Sequence, residues 1–253
     1  MMRIIVNADD FGINEIVTSE IERMILSGNI SSTTVMANGQ CLNEVKKFAK
    51  DHPEVSYGMH LCLSEFDSLT RSEILNQAGL TDEKGCFITN AIFSFKNYDN
   101  AEVRRAIVAE LNAQIETLKG LDIPFSHVDS HHHVHAMRGL SDIFIEVLQK
   151  QGVKKIRRAP DFHTLRAKLH LREWHRLNTL NKRFKSVFVT TDIFYSYSVY
   201  VNNGQPNMDG KVVELMCHPG HPDSFYKNEM QLVERNVVGN NPQVRLISYN
   251  EID

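Results

Sequence analysis

The sequence predicts an α/β protein built as a (β/α) TIM-like barrel, distorted or incomplete, in one domain spanning residues 1–253. Three observations lead there. Eight short β-rich runs alternate with longer amphipathic stretches, the pattern of a parallel sheet crossed over by helices. A length of 253 residues with 42% hydrophobic content suffices for one large core. The chemically active side chains fall at the carboxyl ends of the runs, the face on which barrels build their sites.

In chain order, strands are expected at residues 3–7, 32–37, 56–61, 125–129, 154–158, 186–190, 212–217 and 244–248. A helix over 14–26 follows the first, with Ile16, Ile21, Met24 and Ile25 as its apolar stripe and Gly28 as its stop. A second helix over 101–119 carries Val103, Ile107, Leu111, Ile115 and Leu118 at helical spacing. Residues 64–100 have few periodic signals and a turn-like Asp82-Glu83-Lys84-Gly85, so they are read as a long excursion over the barrel mouth. No repeat or linker divides the chain, and the elements of 160–210 cannot be assigned from pattern.

The bulk properties exclude several classes of function. A formal net charge of -3 and a pI near 6.5 provide no basic field for nucleic acid or anionic lipid. The apolar run at the amino terminus is too short for a secretory signal, and no later segment approaches a membrane span, so a cytoplasmic location is expected. Cys41, Cys62, Cys86 and Cys217 lack C-x-x-C spacing and fit reduced, packed thiols.

Four segments deliver carboxylates and imidazoles to strand ends. Ile4-Ile5-Val6 leads into Asn7-Ala8-Asp9-Asp10-Phe11-Gly12, and the third run delivers His60. The fourth delivers His127-Val128-Asp129-Ser130-His131-His132-His133-Val134-His135, and the seventh Cys217-His218-Pro219-Gly220-His221. Asp9 and Asp10 can divide labour, one binding a metal while the other takes a proton from water. A lone aspartate here would more simply cap the following helix. If the histidine run stays extended, His127, Asp129, His131 and His133 share one face; if it turns helical, His131 and His135 become an i, i+4 pair. Either way the segment is the chain's most specific metal-ligand signal. His52, His163, His170 and His175 stand alone and read as solvated or packed. His218, nearest its strand, suits proton donation at neutral pH better than His221. Cys217 has no neighbouring base along the chain, which disfavours a thiol nucleophile.

These motifs, with Ser32-Thr33-Thr34, Asn38-Gly39 and Gly58-Met59-His60, resemble the YdjC-like carbohydrate deacetylases, the chitooligosaccharide deacetylase type, in family order to residue 221. The resemblance implies a polysaccharide-deacetylase-like barrel, a frequent homodimer, and hydrolysis of the acetamido group of sugars such as diacetylchitobiose. It implies Asp10, His60 and His131 as ligands of one divalent ion, Asp9 as general base and His218 as general acid. Arg158 resembles the arginine that orients the base in the wider superfamily, with Arg157 an equal candidate. Family descriptions give Mg²⁺; two imidazoles and a carboxylate suit Zn²⁺, Co²⁺ or Mn²⁺ better. Two rival readings are a metal-dependent hydrolase of phosphorylated sugars or phosphoesters, with a second metal on His127, His133 and Asp129, and a non-catalytic sugar-binding barrel. Retention of Asp9 and His218 counts against the latter.

Overall fold

A computed structural model describes residues 1–160 and 171–253. Its centre is a curled sheet in which every strand pair is parallel. The strands are β1 (Met2–Phe11), β2 (Ser32–Met36), β3 (Ser56–Leu61), β4 (Phe125–Ser130), β5 (Ile193–Ser196), β6 (Val212–Cys217) and β7 (Val244–Leu246), in the order β4-β3-β2-β1-β6-β5 with β7 on β1. Strand β1 is central, and Ile4, Ile5 and Val6 are buried, as the continuous apolar run of a parallel strand covered on both faces requires.

Helix α1 (Glu15–Leu26) starts where Asn14 caps the Val17 N–H and ends before Gly28, which takes the left-handed φ of 75°. Its buried stripe runs through Val17, Ile21, Met24 and Ile25. Ile16, expected in that stripe, is exposed because it lies on the far side of the helical turn. Helix α2 (Leu42–Asp51) follows β2, and two short helices, α3 (Glu73–Gln77) and α4 (Ala91–Ser94), lie in the expected excursion.

Helix α5 (Ala101–Lys119) packs the predicted apolar stripe and also buries two polar residues, Glu110 and Gln114. Glu110 accepts hydrogen bonds from the N–H groups of Leu69 and Thr70, and Gln114 bonds both backbone groups of Cys62. Each satisfies main chain that has no ladder partner, so α5 moors the excursion above the end of β3.

The barrel differs from the expectation between β4 and β5. Residues 154–158 and 186–190 form isolated parallel bridges, Val128 to Ile156 and Lys155 to Val189, in place of two strands. Helix α6 (Leu140–Lys150) precedes that gap, and α7 (Leu171–Val187) absorbs the start of the second run. The cause is the 3.6 period of Leu177, Leu180, Asn181 and Phe184, all buried, which carries the helix through to Val187. Strand β5, which the sequence reading did not assign, completes the edge, followed by α8 (Tyr197–Asn202) and, after β6, α9 (Ser224–Glu234). His52 sits at the surface beside Glu54; His163 and His170 lie outside the described residues. Among the described residues no helix is long and apolar enough to cross a membrane.

Candidate active site

The carboxyl ends of the strands converge on a cleft of about 520 Å³ lined by Asp9, Asp10, His60, His131, His132, His133 and His218, with Glu65, Phe93 and Tyr226 on its walls. Two adjacent aspartates face it together because β1 bulges there. Its register against β2 shifts between Ala8 and Phe11, and Asp10 takes a φ of 70°. A regular strand would have sent one carboxylate to the opposite face.

Asp10, His60 and His131 offer one ligand atom each within 4.8 Å of one another. His131 Nδ1 is 2.9 Å from Asp10 Oδ1 and His60 Nε2 is 3.2 Å from the same oxygen. The other nitrogen of His60, Nδ1, lies 2.6 Å from Asp129 Oδ1. Asp129 thereby fixes the proton on Nδ1 and turns Nε2, a buried atom, toward the Asp10 carboxylate, where a bound cation would take the place of a proton on that nitrogen. This donor set fits a divalent cation. Burial alone would discharge His60, but Asp129 and Asp10 push its pKa up to about 10. Burial likewise opposes ionisation of Asp10, yet His131 and His60 hold its carboxyl well below the usual range. A site that concentrates this much negative charge against neighbouring imidazoles favours a positive occupant.

The histidine run follows neither expected geometry. Strand β4 stops at Ser130, and His132 and His133 then adopt left-handed φ values of 53° and 55° within a 3₁₀ turn, His131–Ala136. His131, His132 and His133 all reach the cleft, while His127 and His135 turn into the fold. His127 stacks on Tyr249 at 3.6 Å, in space that Gly58 keeps open: a Cβ at Gly58 would stand 2.5 Å from the His127 ring. His135 bonds Ser130 and packs between Phe144 and Phe184. His127 and His133 join no ligand-atom group among the described residues, so the second metal site imagined on them with Asp129 is not assembled.

The guanidinium on Asp9 belongs to Arg157, and the expectation for Arg158 is corrected. Arg157, fully buried, gives Asp9 two hydrogen bonds of 2.7 Å, reaches Asp129 at 2.6 Å and Glu214 at 2.7 Å. Successive side chains on an extended segment point to opposite sides, so only one of the two arginines can enter the barrel. Arg158 instead lines a separate surface groove with Trp174 and Lys182. Burial opposes the charge on Asp9, but the Arg157 pairing holds its pKa well below the usual value. Asp9 therefore stands ready as an ionised acceptor.

His218 stands at the end of β6 as expected. Glu229 accepts from its backbone N–H at 3.0 Å, and a Glu229 oxygen lies 3.3 Å from Nδ1. Burial disfavours the imidazolium, but Glu229 outweighs it and raises the pKa above the ordinary value. His221 accepts from the Asp223 N–H within its turn, and burial and His218 lower its pKa. Glu65, Glu214, Glu229 and Tyr226 were missed by sequence reasoning. Only Glu214 left a signal, as the one charge in the apolar run Val212–Cys217.

A family model for YdjC-like proteins matches residues 3–244. The chain belongs to the YdjC-like family. A carbohydrate deacetylase of Oceanobacillus iheyensis is 30% identical over 231 residues, covering 89% of this chain and 89% of that protein. One from Clostridium beijerinckii is 27% identical over 231 residues, covering 88% and 83%. A crystal structure from Enterococcus faecalis V583, named for cellobiose-phosphate cleavage, superposes with a TM-score of 0.71 at 22% identity, covering 98% of this chain and 97% of that one. That likeness establishes the curled α/β barrel of this YdjC-like chain.

Proposed function

We propose that this YdjC-like protein is a metal-dependent carbohydrate deacetylase, one domain acting in the cytoplasm as a homodimer on N-acetylated sugars of the chitooligosaccharide type. The observation that carries the reading is one cleft holding an arginine-fixed carboxylate, a glutamate-paired histidine and a His–His–Asp nest between them. Relatives matched over most of this chain are named carbohydrate deacetylases.

Asp10, His60 and His131 would hold the ion, which when bound acidifies a water and polarises the acetyl carbonyl. The nitrogen-rich donor set favours Zn²⁺, Co²⁺ or Mn²⁺ over Mg²⁺. Asp9, held ionised by Arg157, accepts a proton from the attacking water. Its low basicity is the counterpart of fixed orientation: the free carboxylate stays ionised and aimed at working pH, and takes a proton only as the attacking water gives one up in the reaction. His218, whose protonated form Glu229 favours, donates to the departing nitrogen as the C–N bond breaks, giving acetate and a free amino sugar. A binding-only barrel would need neither Arg157 on Asp9 nor Glu229 on His218.

The test is a screen of N-acetylated mono- and disaccharides, with and without a 6-phosphate, reading free acetate from metal-loaded protein. Acetate release that disappears with chelator is expected. Silence on every sugar alongside hydrolysis of a phosphoester would replace this reading with the phosphohydrolase.

A further inference from the structure

Three consecutive histidines reach the cleft, and two of them are already engaged. His131 lies between Asp10 and Glu65, and His132 Nδ1 is 3.0 Å from Ser64 Oγ. His133 makes no hydrogen bond among the described residues, and its Nδ1 is closed off from solvent. Leaving a buried polar atom unpaired is unfavourable. The backbone adds strain, since a left-handed conformation is unfavourable for a non-glycine residue and here two stand in succession. A regular strand would have turned His133 away from His132. The left-handed pair brings both rings to the same cleft.

The His133 ring is held rigidly. It meets Phe194 edge-on at 5.3 Å and 83°, and His135 at 6.3 Å and 88°. Phe194 also lies under the Arg157 guanidinium, 5.0 Å from its ring centre, so one wall positions both His133 and the arginine that fixes Asp9. An imidazole can present one nitrogen as a donor and the other as an acceptor. The proton belongs on Nε2, because Nδ1 is buried without a partner and a buried N–H without an acceptor is the costlier arrangement. His133 thus differs from its neighbours: its ring is packed against Phe194 and His135, has no hydrogen-bond partner among the described residues, and lines the cleft that also holds Asp9 and His218.

We infer that His133 is a substrate-binding, specificity-determining residue that donates a hydrogen bond from Nε2 to a hydroxyl of the sugar ring bearing the acetamide. The inference rests on the deacetylase reading above. A cleft donor that a bound sugar closes off from water discriminates against ligands lacking the matching hydroxyl, because the donor is then left unpaired.

The experiment compares His133→Phe, which keeps a ring without a donor, with His133→Gln, which returns an N–H at similar reach. Each is assayed on an N-acetylated disaccharide and on 4-nitrophenyl acetate, with metal content measured alongside. The phenylalanine variant is expected to lose about tenfold or more in kcat/KM on the disaccharide, mainly through KM, as one lost hydrogen bond predicts. Ester turnover and metal content should stay within about twofold, and glutamine should recover part of the loss. Unchanged kcat/KM on the disaccharide, equal losses on both substrates, or loss of metal would each overturn the inference. Wild-type protein that released no acetate from any sugar would refute the deacetylase reading instead. Calorimetry of the disaccharide on Asp9→Asn with and without His133→Phe then reads His133 independently, weaker binding by the double variant supporting the role and equal binding removing it.

Discussion

Two sides of the barrel hold their functional residues by different means. From β4 through β3, β2 and β1 to β6, parallel ladders set the strand ends, which carry His60 in register, Asp10 at the β1 bulge, and His131 and His218 just past β4 and β6. Across the gap between β4 and β5 the described residues make only the bridges at Ile156 and Val189. There Arg157 is held by ion pairs to Asp9, Asp129 and Glu214, all of them buried. Where the ladder is thin, charge supplies the positioning. The ladder side should therefore answer to changes in ligand and proton chemistry with the fold intact, and the gap side should lose stability and activity together.

The sharpest test on the ladder side separates the two adjacent aspartates. Asp9→Asn keeps the shape but removes the proton acceptor, so turnover should fall by about 10³–10⁴ with metal content unchanged. Asp10→Asn should lose the metal as well, because Asp10 is the carboxylate shared by His60 and His131. Elemental analysis beside kinetics decides it. Equal metal loss in both variants would mean the bulge does not divide the roles.

The gap side is broken through its arginine. Arg157→Met leaves three buried carboxylates without their cation and should cost about 3–5 kcal/mol in urea unfolding, with activity lost in parallel. Arg158→Met, at a half-buried position on the outer groove, should cost under about 1 kcal/mol and spare turnover. Similar losses from the two arginines would erase the distinction between the sides.

The same contrast explains what the sequence made legible. Ladder-side residues follow apolar runs, so the ends of β1, β3, β4 and β6 and their polar residues could be read from pattern. Alternation could not say which of Arg157 and Arg158 points inward, since a run flanked by single bridges has no clear apolar face to set its phase. The path of the histidine run depended on two left-handed residues, and no composition signal marks them because neither is glycine. Glu65 was invisible for another reason: it stands over the site because α5 moors the excursion through Glu110 and Gln114, a tertiary contact without local trace. Strand β5 was lost among the polar residues of 160–210.

The mildest perturbation tests His218, where ladder placement and charge pairing meet. Glu229 raises the imidazole pKa, so the acid form persists to higher pH than an ordinary histidine allows. The pair's contribution to stability is fully present below the unfolded histidine pKa and is lost as pH rises through the raised folded value. If His218 is the proton donor proposed above, activity should decline over the same interval. Glu229→Gln keeps an acceptor for the His218 N–H and removes the charge. The alkaline limb of kcat/KM should then move to lower pH by roughly one unit. The acidic-side maximum should stay within a few-fold of wild type, because metal cluster and base are untouched. A glutamate that served only as a structural brace would lower the whole profile without moving its limb. That outcome, or an unmoved limb at full height, would take the proton-donor role away from His218 and leave β6 contributing position alone.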